Sequence, residues 1–157
     1  MWRGVGYTLG MEQEPKQFFE NQSEQGRSIE VLTNSIEVIG PNSKVETLEV
    51  LPGGSCAVLT AYDPGVQVAG AAHLSFGLET EDVEGFIHEL STKLNPLGAS
   101  ISNSQFRLFR GGDILLGQLE KQLGERSPKS EGIPAEYQGL TLNKKTGEIS
   151  FFSTFSD

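Results

Sequence analysis

Two residues in this chain are of types that together perform nucleophilic chemistry, and they lie 17 positions apart: Cys56 and His73. A thiol that gives its proton to a neighbouring imidazole becomes a thiolate, which attacks carbonyl carbons at neutral pH. Midway between them the sequence Asp63–Pro64–Gly65 is a strong turn signal. A turn there folds the chain back on itself, so the two side chains can meet at one end of a hairpin.

The segment before the cysteine favours a nucleophilic role. Two glycines and a serine lead directly into Cys56, and glycine loses more conformational entropy on ordering than any other residue. Consecutive unhindered backbone N–H groups can converge on an anion and form an oxyanion hole beside the thiol. We expect the donors to be the N–H groups of Cys56 and of Ser55 or Gly54.

Each of the two residues also has a purely structural interpretation. A lone cysteine is commonly a small buried hydrophobe, and His73 could be a core histidine whose ring is satisfied by a backbone carbonyl. Taken singly, each residue favours the structural interpretation. Their pairing shifts the balance towards catalysis, and the small side chains of Gly70, Ala71 and Ala72 leave room for a substrate chain.

The composition is that of an ordinary globular protein with excess negative charge. Of 157 residues, 36% are hydrophobic, and 21 acidic against 12 basic side chains give a formal charge of −9. Nucleic acids require a basic face, so we expect no nucleic-acid partner, whereas a basic or neutral protein fits better. With one cysteine and two histidines, we expect no internal disulfide and neither a metal nor another cofactor.

The chain shows no pattern typical of a targeting or membrane-spanning segment. Its first residues are interrupted by glycine and charge, and no run approaches the roughly 18 apolar residues of a spanning helix. We therefore expect a cytoplasmic protein, or one exported by a specialised secretion route that uses no cleaved signal.

The pattern of polar and apolar residues predicts a polar arm over residues 1–27 and a single α+β domain over 28–157. The tetrapeptide SIEV occurs at 28–31 and again at 35–38, and its alternation predicts a two-stranded hairpin. Further strands are predicted at 45–51, 57–62, 66–75, 104–110, 137–143 and 148–155, and helices at 80–94 and 113–123. This order indicates mostly antiparallel sheets in a sandwich, with two amphipathic helices packed on the outside.

Several segments, taken in order, resemble a known enzyme family. GSC at 54–56, YDP at 62–64 and the small-residue run that ends in Ala-His at 72–73 are similar to motifs of the chemoreceptor glutamine deamidase family (CheD). Later segments continue the likeness, which covers roughly residues 45–152: LGAS, FRGGD, LGERS, EGIPAEY and KTGEI. The same fold serves cytotoxic-necrotizing-factor type toxins and N-terminal asparagine amidohydrolases, and the closing segment GLTLNKKTGEISFFSTF resembles the latter.

The resemblance implies a CheD-like fold and a protein-glutamine deamidase. In such an enzyme the Cys56 thiolate attacks a glutamine carboxamide of a partner protein, and water hydrolyses the thioester to glutamate while His73 carries the protons. The substrate would be a chemoreceptor or a host signalling protein, and a regulatory protein is the other partner that we consider. Two alternatives stay open: an amidohydrolase for N-terminal Asn or another small amide, and a catalytically inactive binding module of the same fold.

The chain departs from the family at three places. The family has a threonine six residues before the nucleophile that helps to orient the histidine, and this chain has Val50 there. The usual Leu-Pro after the histidine segment is replaced by Ser75–Phe76, and the first forty residues match no family segment. We therefore expect a backbone carbonyl at or near Val50, or the hydroxyl of Thr47, to hold the His73 ring.

Overall fold

Nine strands and two α-helices occur in the part of the chain that the structure describes, residues 27–53, 56–75 and 80–153 of a computed structural model. The strands are β1 (Arg27–Glu30), β2 (Ile36–Ile39), β3 (Val45–Val50), β4 (Ala57–Asp63), β5 (Val68–Leu74), β6 (Gln105–Phe109), β7 (Ser130–Glu131), β8 (Gly139–Asn143) and β9 (Ile149–Phe152). The helices are α1 (Thr80–Leu94) and α2 (Asp113–Leu123). The predicted α+β class is confirmed, whereas the predicted arm lies almost wholly outside the described residues.

The strands form two sheets. Sheet I has four strands in the order β9-β8-β3-β1, and sheet II has five in the order β2-β5-β4-β6-β7. The pairs β1/β3 and β6/β7 are parallel, and the other neighbours are antiparallel. Each sheet therefore carries its one parallel pair at an edge, next to an antiparallel interior.

The two sheets and the helices stack in three layers, with sheet II in the middle. One apolar cluster fills the space between the sheets, and a second lies between sheet II and the helices. Successive residues of β4 alternate between the clusters: Val58 faces sheet I and Leu59 faces the helices. Because both faces of sheet II are covered, β4 and β5 are buried along their whole length. This is why their sequences show almost no polar alternation.

The repeated SIEV tetrapeptide does not form the predicted hairpin. Both copies contribute strands, but β1 pairs with β3 in sheet I and β2 pairs with β5 in sheet II. The turn at Thr33–Asn34, where Asn34 has φ 60°, carries the chain from one sheet to the other. The prediction was wrong because alternation specifies a strand but not its partner, and a two-stranded ribbon alone is only marginally stable.

The turn and capping signals in the sequence correctly predicted two other hairpins and both helices. The β4–β5 and β8–β9 hairpins are confirmed, and both helices have their predicted ends. At the second hairpin Gly147 has φ 75°, and a Cβ there would lie 2.4 Å from the Tyr62 ring, so the turn requires glycine. No helix within the described ranges is long and apolar enough to cross a membrane.

Glu49 makes a like-charge pair on the outward face of sheet I. It lies directly opposite Glu30 of β1, and burial, followed by the charge of Glu30, raises the pKa of its carboxyl. For an acid with a raised folded-state pKa, ionisation opposes folding. Its contribution to stability is therefore present at low pH and is lost as the pH rises through the folded-state pKa.

We expect Glu49→Gln to stabilise the protein at neutral pH, because the amide carries no charge to desolvate. Since the side chain is partly exposed, the gain should be about 0.5 kcal/mol at pH 7, and it should vanish near pH 4, where the wild-type carboxyl is also largely neutral. Thermal denaturation at both pH values measures it. Glu136→Gln, at an exposed loop position, is the control and should show no such gain. A Glu49→Gln protein less stable than wild type at pH 7 would contradict the argument.

Candidate active site

The β4–β5 hairpin places the predicted nucleophile and base at the same end of sheet II. Val58 lies directly opposite His73, and Ala57 lies opposite Leu74. Cys56 immediately precedes β4, two residues before Val58. Continuing the strand alternation to residue 56 directs Cys56 to the face shared by Val58 and His73, which is the face towards sheet I.

His73 is a buried residue whose ring is held by backbone of the opposite sheet. Its side chain is almost fully enclosed, with 4% of the residue exposed, and Nδ1 lies 3.1 Å from the carbonyl oxygen of Val31. A carbonyl can only accept a hydrogen bond, so Nδ1 carries the proton and donates it. In the neutral ring Nε2 is then the unprotonated, basic nitrogen.

The main chain of His73 is fixed by the segment that follows β1. Its N–H donates to the carbonyl of Ser35 at 3.1 Å, and its carbonyl accepts from the N–H of Asn34 at 2.6 Å. The side-chain oxygen of Asn34 also accepts from the N–H of Ser75 at 3.1 Å. One short connection, from Val31 to Ser35, therefore holds both the ring and the backbone of His73.

The other ring nitrogen, Nε2, is buried and makes no hydrogen bond with any group in the described ranges. An unpaired buried polar atom costs about 1–3 kcal/mol and is uncommon in folded proteins. Cys56 is a free, half-buried thiol, and it is not hydrogen-bonded to Nε2 in this conformation. Catalytic contacts are often loose in the absence of substrate, so a basic nitrogen in this state is suited to accept a proton when the site engages a ligand.

The acceptor of the His73 proton differs from both candidates named from the sequence. It is a backbone carbonyl, but it belongs to Val31 and not to Val50. The hydroxyl of Thr47 is hydrogen-bonded to Ser28 of β1, on the outward face of sheet I. Val31 was missed because β1 was expected to pair with β2. Instead, β1 joins sheet I, where the Val31 N–H donates to the main-chain carbonyl of Glu49 at 2.8 Å. The end of β1 therefore lies against His73.

Of the three predicted oxyanion donors, only Cys56 lies within the described residues; Gly54 and Ser55 fall outside them. The Cys56 N–H donates to the carbonyl of Gly53 at 2.9 Å. In this conformation the N–H is engaged within the protein. Its use as an oxyanion donor would require this hydrogen bond to break when a substrate binds.

Comparisons with known proteins add nothing to the motifs already described. No protein-family model matches the chain, and no curated protein is significantly similar to it. The resemblance to the deamidase family therefore rests on the sequence segments alone.

Within residues 27–53, 56–75 and 80–153, no group of three or more His, Cys, Asp or Glu side chains is placed to hold a metal ion.

The Val31 contact predicts which tautomer His73 adopts. Nitrogen-15 NMR of the side chain should show that the neutral form of the ring carries its proton on Nδ1, because the carbonyl accepts a hydrogen bond from that atom. His88, exposed on α1, provides an internal control in the same spectrum. A His73 ring that is protonated at Nε2 when neutral would contradict the geometry.

The positions of Thr47 and Val50 predict that neither side chain sets the reactivity of Cys56. Thr47→Val should leave the rate of Cys56 alkylation unchanged within about twofold, because its hydroxyl bonds only to Ser28 among the contacts described. Val50→Ala should lower the free energy of unfolding by about 2 kcal/mol through lost core packing, with a similarly small effect on alkylation. A hundredfold loss in Thr47→Val would return the orienting role to that hydroxyl.

Proposed function

We propose that the protein is a cysteine hydrolase that deamidates glutamine side chains of a partner protein. The observation that carries this proposal is the state of His73: Nδ1 is bound to a carbonyl, and Nε2 is buried and unpaired. Extending the alternation of β4 by one residue puts Cys56 on the same face as His73. A histidine with a structural role would satisfy both nitrogens, whereas a general base needs one nitrogen held and the other open.

In the first half-reaction Nε2 of His73 takes the proton of the Cys56 thiol. The thiolate attacks the carboxamide carbon of the glutamine, forming a C–S bond and moving an electron pair onto the oxygen. When that pair returns, the C–N bond breaks, and the proton on Nε2 passes to the departing ammonia. The Val31 carbonyl keeps its hydrogen bond to Nδ1 throughout, which stabilises the imidazolium and fixes its direction.

In the second half-reaction a water molecule releases the product. Nε2 takes a proton from the water as the water oxygen attacks the thioester carbon. The C–S bond then breaks, and the proton on Nε2 passes to the sulfur to restore the thiol. The sum consumes one water, releases one ammonia and converts glutamine to glutamate. Every group that moves a proton or an electron pair belongs to the chain, the substrate or this water.

The charge of the chain bears on substrate and product. A formal charge of −9 attracts basic partners and repels acidic ones. The reaction turns a neutral carboxamide into a carboxylate, so the product is repelled more than the substrate was. A basic or neutral protein surface that displays glutamine is therefore the substrate class that fits best.

The test is mass spectrometry of glutamine-containing basic and neutral proteins after incubation with the enzyme. Conversion of an amide to an acid is visible as a mass increase at an identified glutamine. Cys56→Ser and His73→Ala should each lower the rate by about a thousandfold or more, since they remove the nucleophile and the base. Turnover near the wild-type rate in either variant would refute the assigned roles.

His73→Asn is the matched variant for the base. The Asn amide can donate to the Val31 carbonyl in place of Nδ1, but nothing replaces Nε2. We expect its thermal stability to be closer to wild type than that of His73→Ala, while its activity is equally low. An active His73→Asn protein would show that Nε2 does not act as the base.

The two other functions predict different results in the same assays. Activity confined to peptides with N-terminal Asn, or to small amides, would indicate an amidohydrolase. If Cys56 alkylates as slowly as an ordinary buried thiol at all pH values, the chain is a binding module and the proposal fails.

A further inference from the structure

We infer that Arg110 is a positioning residue for the loop that carries Cys56. The inference rests on the proposed function, because the position of this loop affects catalysis only if Cys56 is the nucleophile. Arg110 lies on a different element from Cys56 and His73, and it enters none of the chemical steps described above.

Strand register brings Arg110 to the Cys56 end of sheet II. Phe109, the last residue of β6, lies directly opposite Val58 of β4. The next residue, Arg110, therefore lies beside the start of β4, where the chain arrives from the loop that precedes Cys56. Its Nη1 donates to the carbonyl of Pro52 at 3.0 Å, four residues before the thiol.

The backbone conformation of Arg110 directs its side chain towards Pro52. Its φ is 63°, a left-handed conformation that is unfavourable for arginine, because its Cβ crowds the following carbonyl. Such a conformation persists only where the surroundings enforce it. Here the Arg110 N–H donates to the carbonyl of Glu131 at 2.8 Å, and the next N–H, of Gly111, donates to the Ser130 hydroxyl at 2.9 Å. Strand β7 thus holds a bend that sends the guanidinium back towards the loop.

Two hydrogen bonds hold the residues described in this segment. Arg110 holds the Pro52 carbonyl, and the Cys56 N–H holds the carbonyl of Gly53. The bond to Pro52 is charge-assisted, so it is stronger than a neutral one. Loss of the guanidinium should therefore lower the reactivity of the thiol as well as the stability of the protein.

The experiment measures the rate of alkylation by iodoacetamide from about pH 5.5 to 9, together with thermal stability. Cys56 is the one cysteine of the chain, so the label reports on it alone. Arg110→Ala removes the guanidinium. Arg110→Gly removes it as well and relieves the positive φ, which guards against a variant that merely fails to fold. Arg110→Lys retains the positive charge, with its N–H donors on a single nitrogen.

The matched control is Arg107→Ala. Arg107 lies on β6, three residues before Arg110, and its guanidinium pairs with the Glu131 carboxylate at 2.6 Å.

 Because this ion pair joins Arg107 to β7, Arg107→Ala removes a nearby arginine and leaves the hydrogen bond from Arg110 to Pro52 in place.

We expect Arg110→Ala and Arg110→Gly to lower the alkylation rate by about tenfold, because the segment before the nucleophile loses its charge-assisted hydrogen bond. Arg110→Lys should recover part of the loss, and Arg107→Ala should keep the wild-type profile. Wild-type profiles in Arg110→Ala and Arg110→Gly would overturn the positioning role, whether or not the melting temperature falls. If the wild-type protein itself alkylates like an ordinary thiol, the proposed function fails independently of Arg110.

Discussion

The hydrogen bond from His73 Nδ1 to the Val31 carbonyl joins the two sheets at the candidate site. His73 belongs to sheet II, and Val31 continues β1 of sheet I. The bond fixes where the proton of the neutral ring resides and the direction in which Nε2 points. Without it the ring could rotate or change tautomer, and Nε2 would lose its defined basic state. The catalytic interpretation of the Cys56–His73 pair therefore depends on this contact between the layers.

The contact exists because the chain changes sheets between β1 and β2. A hairpin of the two SIEV copies would have kept Val31 beside its own repeat. Instead, β1 lies parallel to β3 at the edge of sheet I, and β2 lies against β5 at the edge of sheet II. The connection between them passes from the edge of sheet I to the edge of sheet II. There Val31 binds the ring of His73, and Asn34 and Ser35 bind its backbone. The connection between the edges of the two sheets therefore supports the candidate site.

Local signals in the sequence were sufficient to predict the helices and the β4–β5 hairpin, but not the partner of β1. The helices end at glycine or proline signals and carry apolar stripes, and the Asp63–Pro64–Gly65 turn specifies the β4–β5 hairpin, so the placement of Cys56 and His73 follows from nearby residues. The partner of β1 is set by packing between layers, which alternation does not encode. A backbone carbonyl such as that of Val31 is present at every position, so its role has no signature in side-chain types. The two-residue strand β7 is too short to show a period.

The unpaired nitrogen favours the catalytic interpretation of His73 over the structural one. If the residue served only to occupy the Val31 carbonyl, a side chain with one donor would do so and leave no buried acceptor without a partner. An imidazole brings a second nitrogen into a layer packed with aliphatic side chains, where it is desolvated without compensation. The apolar contacts of both sheets offset this destabilisation in the fold as a whole. What the ring adds is a basic nitrogen of fixed direction on the face shared with Cys56, and a base of this kind is what a thiol nucleophile requires.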